Sequence, residues 1–276
     1  MAYDAYEALR VEVTDGVATA TIDHPPVNLL DLKLMFELDG FGREVEADDE
    51  VKVVVLESAD EEFFIAHADV ELILGLPRDA LTEPPAELGF FHAMVDRFRT
   101  MPKATIAILA GIARGGGAEL VSSFDMRFAA LETAVLSQPE VALGILPGGS
   151  GTQRLPWLVG RSRALEIVLG CGDIDAATAE RWGWVNRALP EGELRPFVDL
   201  LVTRLASFPL SAIAAAKRSV LNALPDPRPG LNQEWQLMTQ QLAQPHVIGL
   251  METFLELGGQ TREVERDLTA LYGKLG

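Results

Sequence analysis

Three consecutive glycines, Gly115 to Gly117, stand between the apolar run ATIAILAGIAR and the stretch AELVSSF, and nothing else in the chain restricts its fold as tightly. Inside a regular element each glycine costs roughly 0.5–1 kcal/mol relative to alanine. A run of three therefore needs a reason, either close packing of a helix on a sheet or close approach of a ligand to the backbone. The glycines lie where a strand gives way to a helix. Unpaired N–H groups and the positive end of the helix dipole meet there, which suits a negative or oxyanionic atom. Glu119, one turn into the helix, stands beside the same place.

The surrounding pattern is that of an α/β protein. VEVTDGVATATID alternates apolar and small polar residues about Asp15-Gly16, which reads as two strands joined by a tight turn. Leu34, Leu38, Phe41 and Val45 recur at helical spacing within residues 30–47, and VKVVVLES follows as a buried strand. ATIAILAG, MRFAA and ETAVLS are further strands. From about Glu193 the strands stop, and four amphipathic helical patterns follow, separated by Pro209, the PDPRPG loop and Pro245. With 276 residues and 48% hydrophobic content, the chain has material for a large core and an appendage. The expected division is 1–192 and 193–276. Trp157, Trp182 and Trp184 are expected in packing roles, and EADDE from Glu46 to Glu50 as a solvated turn.

Two more junctions resemble the first. In FFIAHADVELIL, Asp69 is placed to cap a short helix ending at Gly75, and the N–H of Ala68 just before it is a second candidate donor. In SQPEVALGILPGGSGTQRL, Glu140 precedes an apolar patch and a glycine loop. A carboxyl buried among apolar groups has its pKa raised, and two of them near one substrate can divide acid and base roles.

Several other chemistries are excluded. PGGSGTQRL has no lysine after its glycines, as a phosphate loop requires, and it misses the GxSxG spacing of a serine hydrolase. Four scattered histidines and a single cysteine, Cys171, offer neither a metal-ligand pattern nor an internal disulfide. Forty-one acidic against 23 basic residues give a formal charge of -18, which opposes nonspecific binding to nucleic acid or to an anionic membrane. No apolar run approaches the ~20 residues of a membrane span, and MAYDAYEALR lacks the pattern of a secretory signal, so a cytoplasmic protein is expected.

Taken together, FIAHADV, GIARGGGAELVSSFDMRFAA, SQPEVALGILPGGSGTQRLP and GRSRALEIVLG resemble the crotonase, or enoyl-CoA hydratase/isomerase, superfamily. The resemblance runs from HPPVNLLD to the helical tail and is most specific between residues 63 and 190. It implies a spiral of strand-strand-helix units and a C-terminal helical region that builds trimers, often paired into hexamers. It also implies an acyl-CoA thioester substrate, with coenzyme A present only as part of that substrate and no separate cofactor or metal. By the family's motifs, the N–H groups of Ala68 and Gly116 form an oxyanion hole for the thioester carbonyl. Glu119 and Glu140 match the two hydratase glutamates, and Ala66, His67, Asp69, Gly115 and Gly148 fall beside the substrate.

The pair of glutamates favours hydration of a 2-enoyl-CoA to a 3-hydroxyacyl-CoA. A double-bond isomerase or another crotonase-type lyase uses the same hole, and a non-catalytic acyl-thioester-binding module is the reading from a different class. Four departures from the family pattern bear on the choice. His67 replaces a glycine, and its ring either narrows the substrate channel or fills space. Arg114 replaces an apolar residue, either gripping an anionic group or forming a surface salt bridge. Glu71 stands where lysine is frequent near the CoA phosphates, and Leu257-Gly258-Gly259 replaces a basic cluster; both remove positive charge from the expected CoA grip.

Overall fold

A computed structural model describes residues 3–275. The chain opens with the hairpin of β1 (Leu9–Thr14) and β2 (Val17–Ile22), whose central residues Asp15 and Gly16 both take positive φ, as a type I′ turn requires. The helix α1 (Leu32–Ala47) begins where the Asp31 carboxylate accepts the Leu34 N–H, and it turns Leu34, Leu38, Phe41 and Val45 into the core.

A strand-strand-helix motif then repeats. β3 (Val53–Ser58), β4 (Phe63–Ile65) and α2 (Val70–Leu74) form its first turn, followed by α3 (Phe90–Thr100). β5 (Ala104–Leu109), β6 (Ile112–Arg114) and α4 (Gly116–Ser122) form the second. In the third, β7 (Met126–Ala130) and β8 (Val135–Ser137) lead into a 3-10 turn at Glu140–Leu143, then α5 (Gly151–Val159) and α6 (Arg161–Gly170). β9 (Ile174–Asp175), α7 (Ala176–Trp182) and β10 (Arg187–Leu189) complete the spiral.

In each turn the first strand joins one sheet and the second joins another. The larger sheet has the order β1-β2-β3-β5-β7-β10 and is parallel beyond the hairpin; the smaller has the order β4-β6-β8-β9. Every residue of β5 is buried, which accounts for its unbroken apolar sequence. The glycine run does not follow that strand directly. The chain breaks after Leu109, crosses to the smaller sheet as β6, and only then reaches the glycines. Gly111 permits the crossing, because a Cβ there would lie 2.4 Å from the Glu62 carbonyl carbon.

The helical region behaves as two parts. Leu194, Val198 and Val202 of α8 (Glu191–Ala206) pack on Val53, Ile106 and Phe128 of the larger sheet. α9 (Leu210–Leu221) buries none of its residues. α10 (Arg228–Leu242) starts inside the PDPRPG segment, with Pro229 in its first turn, where a missing N–H is harmless. Together with α11 (Pro245–Glu256), α12 (Arg262–Glu265) and α13 (Thr269–Tyr272), α10 folds back over the spiral. Met238, Val247, Met251, Phe254 and Leu268 share a second core with Val70, Leu143 and Ile145. No single helix among the described residues is long and apolar enough to cross a membrane.

Candidate active site

The three glycines have separate reasons. Gly115 caps α4 at φ +47, and a Cβ on it would lie 2.6 Å from Glu140 Oε1. One on Gly116 would lie 2.9 Å from Leu30 Cδ2 and 3.4 Å from the Ala68 Cβ, and one on Gly117 would meet Ile65 Cβ at 2.6 Å. Gly117 therefore serves helix-on-strand packing, while Gly115 and Gly116 keep a space clear.

Ala68 comes to that space through a parallel bridge. The Leu30 N–H donates to the His67 carbonyl at 3.0 Å and the Asp69 N–H donates to the Leu30 carbonyl at 3.2 Å. In such a bridge the middle residue's own N–H points away from the partner strand. Neither the Ala68 nor the Gly116 N–H has a partner among the described residues.

Ala68, Gly116, Glu119, Glu140 and Gly148 all border one cavity of about 340 Å³. Its apolar wall includes Leu32, Met35, Leu72, Phe90 and Trp235. Glu119 is 3% exposed, and its Oε1 accepts the N–H groups of Gly149 and Gly151 at 2.8 and 2.7 Å. Glu140 begins the 3-10 turn, with its Oε2 buried and without a hydrogen-bond partner. Burial, then the charges of Glu140 and Glu234, raises the Glu119 carboxyl well above the ordinary range, against the pull of its two N–H donors. Burial pushes Glu140 up to about 8. Burial thus raises both carboxyls, and two such groups beside one cavity can divide the roles of proton donor and acceptor.

The remaining residues singled out by sequence fall elsewhere. Ala66 is fully buried beside Val27, Phe63 and Ile112, away from the cavity, because its position in the chain points it into the sheet. The Asp69 carboxylate caps α2 by accepting the Glu71 N–H at 3.0 Å. His67 lies behind the cavity. Its Nδ1 is 2.7 Å from the Ala68 carbonyl, its Nε2 is 3.0 Å from Glu265 Oε1, and its ring meets Phe254 edge-on at 5.7 Å. The ring thus fills space and tethers α12; it does not border the cavity of about 340 Å³, but lines a separate space of about 30 Å³ with Ala68 and Glu140. Arg114 corrects both of its expectations. It is wholly buried, donating to both Asp173 oxygens at 2.8 and 2.7 Å and to the Glu265 carbonyl at 2.8 Å. A guanidinium so enclosed is neither a surface ion pair nor free to hold a ligand. In the segment after Leu257, Gln260 takes the Val70 N–H on its side-chain oxygen at 2.6 Å, so this turn serves to dock the tail. Glu71 is exposed. Trp184 is fully buried, with its indole N–H 2.9 Å from Ser122 Oγ, whereas Trp157 and Trp182 are only half-buried.

Sequence reasoning missed Glu234 and His92. Glu234 on α10 is 1% exposed and His92, which borders the cavity, is 2% exposed; Glu234 Oε1 and His92 Nε2 are 2.9 Å apart. A signal existed. Glu234 lies between Leu231 and Met238 on the apolar stripe of its helix, where a charge is out of place unless it has a buried partner.

The geometry has close counterparts. The enoyl-CoA hydratase/isomerase family profile matches residues 12–260. A Rhizobium meliloti (strain 1021) protein named "Probable enoyl-CoA hydratase" is 36% identical over 223 residues, covering 80% of this chain and 83% of its own. The "Short-chain-enoyl-CoA hydratase" of Clostridium acetobutylicum is 34% identical over 212 residues, 76% of this chain and 79% of its own. Among solved structures, one from Streptomyces avermitilis superposes with a TM-score of 0.91 at 42% identity, covering 98% of this chain and 99% of that one.

Proposed function

This chain belongs to the enoyl-CoA hydratase/isomerase family, and we propose that it hydrates a 2-enoyl-CoA to the 3-hydroxyacyl-CoA. The observation that carries this reading is the convergence of two unpaired N–H groups, Ala68 and Gly116, and two buried carboxyls, Glu119 and Glu140, on one cavity. The thioester carbonyl accepts both N–H groups, which draws electron density from the third acyl carbon. The ionised carboxylate of the pair takes a proton from water as the water oxygen bonds to that carbon. The electron pair of the double bond moves onto the carbonyl oxygen as an enolate. The protonated carboxyl then delivers its proton to the second carbon, the carbonyl re-forms, and the pair again holds one proton. No resident cofactor or metal is called for.

The same proposal includes an oligomer, a trimer or a pair of trimers, in which α9 is covered. Val220 of α9 is 69% exposed and Leu200 of α8 64%, apolar surface that a subunit contact would cover. Light scattering at micromolar concentration is expected to report a trimer or hexamer, and a monomer would reject this part. A cytoplasmic location completes the proposal.

The test of the chemistry is loss of conjugated-thioester absorbance from short 2-enoyl-CoAs. Glu119→Gln and Glu140→Gln are each expected to lower kcat at least about 100-fold, the lower end for a positioned acid or base. Near-normal hydration by Glu119→Gln would instead indicate a single-base isomerase. Stabilisation by acyl-CoA with no turnover of any enoyl-CoA would indicate a binding module.

A further inference from the structure

The glycine loop that holds Glu119 is gripped from both sides. Its successive N–H groups alternate between two carboxylates: Gly149 and Gly151 donate to Glu119 Oε1, whereas Ser150 donates to Glu234 Oε1 at 2.7 Å and Thr152 to Glu234 Oε2 at 3.0 Å. The Thr152 hydroxyl also donates to Glu234 Oε2. There is no slack in this arrangement. A Cβ on Gly149 would fall 2.0 Å from Phe91 Cε1, and one on Gly151 would fall 2.7 Å from Gln138 Oε1. Ser150, fully buried between them, sits at φ +112 with its hydroxyl unpartnered, a conformation that residues bearing a Cβ avoid unless neighbours impose it. The bonds to Glu234 supply that constraint.

We propose that Glu234 is a positioning residue for Glu119: by holding the Ser150 and Thr152 N–H groups on one side of the loop, it aims the Gly149 and Gly151 N–H groups at the Glu119 carboxylate on the other. The role rests on the hydratase reading for its effect on catalysis, but its geometric core does not. Glu234 does not border the cavity, so its influence reaches the substrate through groups that do: the glycine loop with Glu119, and His92. It also places the C-terminal helix α10 behind the site, which ties docking of that helix to alignment of the reacting carboxylate. The charged or titratable groups facing Glu119 are Glu140 and Glu234; Glu234 itself faces His92 from α3 and has Arg154 of α5 nearby, paired with Asp96.

Glu234→Gln keeps the shape but leaves one acceptor oxygen for N–H groups that now have two. Ser150 is then free to relax, and the N–H groups on either side of it turn from Glu119. The expected result is a kcat lowered about 10- to 100-fold, with KM changed less than about twofold, the signature of a misaimed catalytic group. Removing a negative charge beside Glu119 also lowers its pKa, so the limb of the kcat–pH profile that Glu119 governs is expected to move to lower pH. Amide hydrogen exchange gives a readout that needs no turnover: Gly149 and Gly151 are expected to exchange faster, with distant amides such as those of β5 unchanged. If wild type does not hydrate enoyl-CoA, the functional reading fails, while exchange still decides the positioning role. Thr152→Val, which replaces the hydroxyl with a methyl of similar shape, serves if Glu234→Gln does not fold, with the same direction and smaller size. A folded Glu234→Gln, or its substitute, with the Gly149 and Gly151 exchange rates of wild type overturns the proposal.

Discussion

A carboxyl whose pKa is raised serves acid–base chemistry and weakens the fold that holds it. Burial takes Glu140 from its ordinary 4.5 to about 8. Between those values the unfolded chain has released a proton that the folded one retains, so raising the pH through this window favours unfolding. Glu140→Gln lacks the liability. Its melting temperature is expected to match wild type near pH 4, to rise above it progressively toward pH 8, and to lead by a few degrees there, as thermal melts across pH would register. Gly116 carries a different constraint. The methyl of Gly116→Ala would stand 2.9 Å from Leu30 Cδ2 and beside Ala68, at the mouth of the space between the two free N–H groups. A displacement of that size at the reacting carbonyl is expected to lower kcat/KM by about 100-fold while the far-UV spectrum is unchanged.

At the scale of elements, the tail is fastened to the site's wall by a buried charge cluster. α12 contributes Glu265, fully buried, which meets His67 ahead of α2 and lies 3.6 Å from Arg114 at the end of β6. Burial works against charge on both partners and their mutual attraction overcomes it, raising the pKa of His67 and lowering that of Glu265. The Glu265 contribution is present above the ordinary carboxylate pKa and fades as pH falls through its lowered value. The His67 contribution is present below about 6.5 and fades as pH rises through its raised value. His67→Gln is therefore expected to flatten the alkaline side of the stability–pH curve, and unchanged slopes there would remove the pair from the account. Glu265→Leu leaves His67 without its carboxylate, while Arg114 keeps Asp173 and the backbone carbonyl of residue 265, and chemical denaturation should show a loss of about 3–5 kcal/mol.

The whole molecule is an anion of formal charge -18, and a CoA thioester is a polyanion. Their long-range repulsion slows encounter and is screened by salt, so kcat/KM for an enoyl-CoA is expected to rise between low and physiological ionic strength. A fall would point to a local cationic grip strong enough to dominate the net field. The same scale explains why the C-terminal region is more than an appendage. α10 to α13 share a core with α2 and the turn that bears Glu140, so the cavity is a joint product of the spiral and the tail.

What the sequence by itself determined is whatever depends on neighbours along the chain. The Asp15-Gly16 turn, the Asp69 cap, the buried strand at β5 and the need for space around Gly115 to Gly117 are local consequences of turn chemistry, capping and side-chain period. Resemblance to the family's motifs implied roles for Ala68, Gly116, Glu119 and Glu140, which the fold brings to one cavity. Only the tertiary structure decided the pairings across long separations. Arg114 reaches Glu265, His92 reaches Glu234, and Ala66 turns into the sheet although its neighbour Ala68 meets the cavity. Nothing in the spacing of those residues encodes such contacts. They follow from how α10 to α13 pack back on the spiral, where the burial of apolar faces sets position and each buried charge must then find a partner within reach.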